Sequence, residues 1–182
     1  MFTRAFGSGG EIRLLEERHA QVAFEVVDRN RQHLREWLPW VDRTLAPEDV
    51  ASFIRMALEQ FSRNEGFHAG IWHEGALAGA IGIHRIDWDN RCTSIGYWID
   101  AAYQGRGLVT QACRVVLDHL FCELALNRVE IRCGMGNTRS CAIPERLGFV
   151  REGIVRQGQV VAGRPIDLVV YGMLLEEWLR RK

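Results

Sequence analysis

Two glycines bracket an arginine in Gln104-Gly105-Arg106-Gly107, after an aromatic and β-branched run and before a long apolar-periodic segment. A helix start leaves backbone N–H groups without partners, and the helix dipole adds partial positive charge there. Glycines let the chain turn sharply and let a ligand approach the main chain. A strand, a Gly-x-Gly turn and a helix in that order therefore make a seat for phosphate, with the N–H groups of Gly105 to Val109 as donors. Taken alone, Gly-x-Gly is more often a plain tight turn. Two familiar phosphate loops are excluded. No Gly-Lys-Ser/Thr ending follows, and Thr110 stands where the third glycine of the dinucleotide fingerprint would fall. A second stretch that can do chemistry is Gly136-Asn137-Thr138-Arg139-Ser140, leading to Glu145-Arg146-Leu147-Gly148-Phe149. Asn137 and Ser140 sit at a helix start that follows a strand. Either can cap that helix.

The elements that must hold these residues are legible in the apolar periods. Glu11–Leu15 reads as a first strand after a short flexible lead-in, Gly7 to Gly10. Glu17 to Leu34 reads as helix, ended before Pro39, which biases Leu38 away from the helical conformation. Residues 46–61 read as a second helix: Pro47 suits its first turn, and Val50, Phe53, Ile54, Ala57, Leu58 and Phe61 make one face. The period then drops to two. Phe67–His73, Leu77–Ile86 and Thr93–Asp100 read as three strands of an antiparallel meander. Gly79 and Gly82 predict a bulge or a close backbone approach in the middle one. Gly107–Leu124 is a helix wide enough in its apolar face to pack on a sheet. Arg128–Cys133 is a strand, Asn137–Leu147 a shorter helix closed by Gly148, and Phe149–Val155 and Leu168–Leu175 are two final strands. The closing Glu-Glu-Trp-Leu-Arg-Arg-Lys reads as a solvated tail. This order implies a mixed α/β (α+β) sheet in a single domain spanning residues 1–182.

Composition narrows the function classes. The 182 residues carry 23 basic and 23 acidic side chains, so no overall field draws the chain to nucleic acid or anionic lipid. The five cysteines (Cys92, Cys113, Cys122, Cys133 and Cys141) are odd in number, form no C-x-x-C pair and sit in apolar runs. They read as reduced thiols, which points to the cytoplasm. No run is long enough to span a bilayer, and the first ten residues lack the apolar core of a signal peptide. His68, His73 and His84 fall on or near strands without metal-ligand spacing, and His119 lies on the long helix; no metal is expected.

The two chemistry-bearing segments, in this order and on these elements, resemble the GNAT superfamily of acetyl-CoA-dependent N-acetyltransferases over essentially the full length. Asn30 to Asp42, Ile95 to Asp100 and Leu124 to Arg132 look like its RimL-like branch, the ribosomal-protein N-terminal acetyltransferases. The resemblance implies the GNAT fold: a mostly antiparallel central sheet, splayed between its fourth and fifth strands and flanked by helices. It implies acetyl-CoA as cosubstrate, held by Trp98, Ile99, Asp100, Gln104, Gly105, Arg106, Gly107, Leu108, Val109, Thr110, Asn137 and Ser140. The thioester would lie beside the backbone of Trp98 to Asp100, where an unpaired N–H meets its carbonyl. Arg106 could add a charge-assisted contact with the diphosphate or be a solvated cation. Trp37 and Trp40 would face the acceptor, or staple their loop to the core.

Acyl transfer to an amine needs a neutral amine, a polarised carbonyl and a proton for the departing thiolate. The resemblance makes Ser140 the proton donor. Two departures bear on mechanism. Pro144 stands where many family members carry a tyrosine acid, and it interrupts the helix hydrogen bond to the Ser140 carbonyl, so the helix should bend or be shorter. Ala101 stands where the RimL-like branch has a glutamate base. Asp100 and His84, with Glu36 and Asp87, are the remaining base candidates, beside a water relay or an acceptor of low pKa. An α-amine near ~8 is easier to deprotonate than a lysine near ~10.4, which favours a protein or peptide N-terminus as acceptor. A small-molecule amine and a non-catalytic CoA sensor are the alternatives, and a homodimer is consistent with the family.

Overall fold

The computed structural model describes residues 3–7 and 9–181. One eight-stranded sheet organises it, in the order β1-β2-β3-β4-β5-β6-β8-β7. The strands are β1 (Thr3–Phe6), β2 (Gly10–Leu14), β3 (Phe67–His73), β4 (Ala76–Ile83), β5 (Cys92–Ile99), β6 (Arg128–Gly134), β7 (Val150–Val161) and β8 (Arg164–Leu174). All neighbours are antiparallel except β5 and β6, which run parallel. That parallel ladder spans only Cys92 to Ser94 against Arg128 to Glu130 and then stops. Beyond Ser94 the two strands part. These are the strands the sequence places fourth and fifth; the edge strand β1, ahead of the lead-in and not read from the sequence, shifts the count by one.

Side-chain alternation sorts the sheet into two buried faces. Ile12, Ile71, Ile81, Ile83, Ile95 and Ile131 point to one face, where helix α4 (Leu108–Asp118) covers them with Ala112, Val116 and Leu117. Each fully buried aliphatic side chain there contributes roughly 1.5–3 kcal/mol by leaving water. Trp72 and Leu77 belong to the opposite face. Helices α1 (Ala20–Arg29) and α3 (Pro47–Ser62) close it with Ala23, Val26, Val50 and Ile54. The meander glycines behave as expected: a register shift lies at Ile71/Trp72, opposite Leu77 to Gly79.

Several elements differ from the sequence reading. Residues 17–34 are not one helix: a 3-10 turn (Glu17–His19) precedes α1, and a separate short α2 (Arg31–Leu34) follows. The break is at Asn30, whose buried amide donates to the Val26 carbonyl (2.8 Å) while its oxygen accepts from Ala101 N–H (3.0 Å). Phe53 is not core; it is 40% exposed and turned to a cavity. The long central helix changes to a π-turn over His119–Glu123. The final strands are far longer than the alternation suggested and form one hairpin closed by Ala162-Gly163, both at positive φ as a type I′ turn requires. The C-terminal segment is not a solvated tail either. Helix α6 (Leu175–Leu179) buries Trp178, whose indole N–H donates to Asp118 Oδ1 at 2.9 Å.

Candidate active site

The parted strands open a cavity of about 1860 Å³ that runs through the sheet from the start of α4 to the α1/α3 side. A drug-sized ligand fills roughly 300–1,000 Å³, so this space suits a large ligand and a second reactant together.

At one end lies the glycine turn. Gly105 and Gly107 both have φ of +75°, and Gly107 caps α4 from the left-handed region. The Gln111 amide is the first to close onto the helix, bonding the Gly107 carbonyl at 3.0 Å. The amides of Leu108, Val109 and Thr110 have no helix carbonyl to meet. A Cβ at Gly105 would meet nothing within 4 Å, so the seat is open from outside. Arg114, Arg139 and Arg146 also line the cavity. Arg139 hydrogen-bonds the Gln104 side chain, and Arg146 donates to Thr110 Oγ1 at 3.0 Å, tying α5 (Thr138–Leu147) to the start of α4. Bare amides beside the guanidiniums of Arg139 and Arg146 are the donor set a diphosphate needs. Gln104, Gly105, Gly107, Leu108, Val109 and Thr110 all line this end; Arg106 does not, and its guanidinium lies 5.1 Å over the Tyr103 ring.

The middle of the cavity is the strand gap. Asp100 N–H bonds the Ala78 carbonyl (2.8 Å), and the Ser94 carbonyl accepts from His84 N–H (2.9 Å). By alternation Gly96 and Trp98 also face β4, whereas Tyr97 and Ile99 turn their backbone N–H groups to the gap. Of the three residues expected beside the thioester, only Ile99 turns its backbone N–H to the gap. Asp100 is a scaffold residue, not a base. Its carboxylate, 3% exposed, accepts from Arg29 (2.7 and 2.9 Å) and from Ala102 N–H (2.9 Å), and it does not line the cavity. Burial alone would raise its pKa. The Ala102 amide, Arg29 and Asn30 outweigh that and hold it below the usual carboxylate range. Together with Asn30 on Ala101, these bonds fix the end of β5. Asp87 also leaves the list of bases: it caps the β4–β5 turn by accepting from Asn90, outside the cavity.

Across the gap stands the start of α5. The capping question resolves cleanly. Asn137 Oδ1 accepts from Ser140 N–H at 3.1 Å and caps the helix, which frees the Ser140 hydroxyl. That hydroxyl faces the cavity and donates to Cys133 Sγ at 3.2 Å. Burial pushes the Cys133 thiol up to about 12 and the Tyr97 phenol well above its ordinary value, so both stay protonated. Pro144 neither shortens nor ends α5. It withholds the N–H that would bond the Ser140 carbonyl, and Tyr97 Oη supplies a substitute donor at 3.0 Å. Sequence reasoning missed Tyr97; the signal was a buried aromatic two residues before Ile99 together with a proline four residues after Ser140.

At the far end Trp37, Trp40, Trp98 and Phe53 line the cavity with His68, His84 and Glu36. Trp40 packs on Trp98 with ring centroids 6.1 Å apart. No group of three or more His, Cys, Asp or Glu side chains among the described residues could hold a metal.

Comparison with known proteins agrees with this geometry. Residues 11–150 match the model of the Acetyltransferase (GNAT) domain. YdaF of Bacillus subtilis (strain 168), assigned provisionally as a ribosomal N-acetyltransferase, is 38% identical over 179 residues, covering 98% of each chain. The ribosomal-protein-serine acetyltransferase of Escherichia coli (strain K12) is 26% identical over 166 residues, 91% of this chain and 93% of that one. Among solved structures, RimL, the ribosomal L7/L12 alpha-N-protein acetyltransferase in complex with coenzyme A, superposes with a TM-score of 0.92 at 23% identity, covering 96% of this chain and 99% of that one. A domain match across most of the chain and a full-length relative well above a third identical lead to one conclusion: this chain belongs to the GNAT acetyltransferase family and is an acetyl-CoA-dependent N-acetyltransferase.

Proposed function

We propose that the chain acts as a single domain in the cytoplasm and acetylates the N-terminal α-amine of a protein, of the ribosomal-protein type. The observation that carries this reading is the through-going cavity: a phosphate seat at one end, an aromatic-walled mouth on the α1/α3 side, and the strand gap between them. Full-length similarity to YdaF and to the Escherichia coli serine acetyltransferase supports the acceptor class.

In this reading the amides of Gly105 to Thr110, with Arg139 and Arg146 beside them, hold the diphosphate. The Ile99 amide meets the thioester carbonyl; one such preorganised donor is worth about 10²–10³-fold in rate. Ser140 Oγ gives its proton to the departing sulfur, and Asn137 and Tyr97 hold Ser140 in place by its N–H and its carbonyl. Trp37 and Trp40 wall the acceptor mouth.

The test is mass spectrometry of peptides that begin with serine or alanine and carry one internal lysine, incubated with acetyl-CoA. One acetyl group on the α-amine is expected. Acetylation confined to the lysine, or to spermidine in a parallel reaction, would contradict the assigned acceptor.

A further inference from the structure

Three neighbouring strands place His68, Gly82 and Gly96 in one row: His68 registers against Gly82, and Gly82 against Gly96. By alternation the row faces the α1/α3 side of the sheet, away from Tyr97 and Ile81. Both glycines are needed. A Cβ at Gly82 would overlap the His68 imidazole, and one at Gly96 would come within 3.1 Å of His84 Cε1 and Nε2. Two imidazoles thus lie side by side on bare backbone, and both line the cavity. Gly96 is two residues beyond Ser94, the last residue of β5 paired with β6, so His84 Nε2 stands at the entrance to the strand gap. The His84 ring is oriented by its other nitrogen: Nδ1 lies 2.9 Å from Ser94 Oγ. His84 is exposed to the cavity, whereas His68 is half-buried with Phe53 edge-on at 4.9 Å.

We propose that His84 is the proton acceptor for the attacking amine, in place of the carboxylate that Ala101 cannot provide, and that His68 is the positioning residue holding it over Gly96. The tautomer that donates from Nδ1 to Ser94 leaves the Nε2 lone pair facing the gap. The amine lone pair forms the C–N bond, and the nitrogen, now far more acidic, gives one proton to His84 Nε2. The C–S bond breaks. Sulfur leaves with the bonding electrons and takes the Ser140 proton. His84 returns its proton to solvent and Ser140 regains one, so an amine and a thioester become an amide and a thiol with no net redox change. The other charged groups facing the pair are Arg132 from β6, Glu36 from the turn after α2, and Asp49 from α3. The Asp49 carboxylate is committed to the amides of Leu45 and Ala46. Burial, then Arg132, lowers the His84 pKa; burial, then His84, brings His68 down to about 4. Both rings are therefore neutral near pH 7.

The inference rests on acetyl transfer through this cavity but not on which amine enters it, so its test uses a serine-terminated peptide and spermidine in parallel. Whichever of the two the wild type acetylates reports on the acceptor; kcat/KM against pH, from 5 to 9, then reports on His84. The wild type should show two rising limbs, one below 6.5 set by His84 and a second set by the pKa of the acceptor amine, about 8 for an α-amine; the limb that the variants test is the first. His84→Gln should lose about 10²–10⁴-fold and the limb with it, at unchanged acetyl-CoA affinity by calorimetry. Arg132→Gln should move the limb to higher pH, which a purely structural role for His84 would not do. His68→Gln should lower kcat and shift the same limb, with KM for acetyl-CoA unchanged. A His84→Gln enzyme with wild-type rate and limb, or a limb unmoved in Arg132→Gln, overturns the proposal whichever amine is used.

Discussion

Ser140 shows how much one neighbour decides about a side chain. A serine near a helix start is normally consumed as a cap, and by type alone it is indistinguishable from a proton donor. Asn137 takes the capping role three residues earlier, and the hydroxyl is left facing Cys133 and the cavity. Ser140→Ala should therefore cost turnover, by 10²-fold or more, with little change in acetyl-CoA affinity or thermal stability. Equal turnover in steady-state kinetics would return Ser140 to a packing role. Asp100 went the other way. Its type and position made it a candidate base, but Arg29 and the Ala102 amide, both contributed by folding, engage its carboxylate. What sequence could not reveal at this scale is which polar groups are already engaged, because a partner such as Arg29 lies 71 residues away in the chain.

At the scale of elements, the glycine turn was the most legible feature, since its backbone demand is local. Gly107 sits at φ +75°, where a side chain is strained whatever the space around it. Gly107→Glu adds bulk and negative charge beside the amides of Leu108 to Thr110. It should abolish acetyl-CoA binding in calorimetry while far-UV circular dichroism stays native; retained affinity would place the diphosphate elsewhere. Helix α5 was legible except for its proline. Pro144 removes one hydrogen bond from within, and Tyr97 restores it from the sheet, a pairing that no local pattern announces. Tyr97→Phe should cost about 1–3 kcal/mol, the penalty for a buried carbonyl left without a donor. In a Pro144→Ala background the helix supplies its own N–H, and the same change should cost markedly less. Equal losses in both backgrounds, by urea denaturation, would mean the Tyr97 bond does not compensate for the proline. The β7–β8 hairpin was half missed for a related reason. Most of β7 is exposed on both faces, so its residues beyond Val155 show no alternation to extend the strand.

Across the whole molecule, apolar periodicity carried the order of strands and helices from β2 to β8, because most strands bury at least one face and each helix has one apolar side. It could not carry the gap, which exists only because the parallel ladder ends at Ser94. The histidines on that gap also tie stability to pH. The His68 pKa falls from about 6.5 unfolded to about 4 folded, chiefly through burial. Between those values the unfolded chain binds more protons, so stability is full above 6.5 and is lost as pH drops toward 4, by at most about 3 kcal/mol from this residue. His68→Leu should remove most of that loss in urea midpoints measured at pH 7 and pH 5; an unchanged difference would assign the loss to other groups, such as His84 and His19, whose pKa values are also lowered. The most direct measurement is a crystal structure with coenzyme A. The account predicts diphosphate oxygens within hydrogen-bonding distance of the amides of Gly105 to Thr110, and the sulfur in the strand gap between the Ile99 amide and the Ser140 hydroxyl. A diphosphate bound away from that turn, or a pantetheine arm that bypasses the gap, would contradict it.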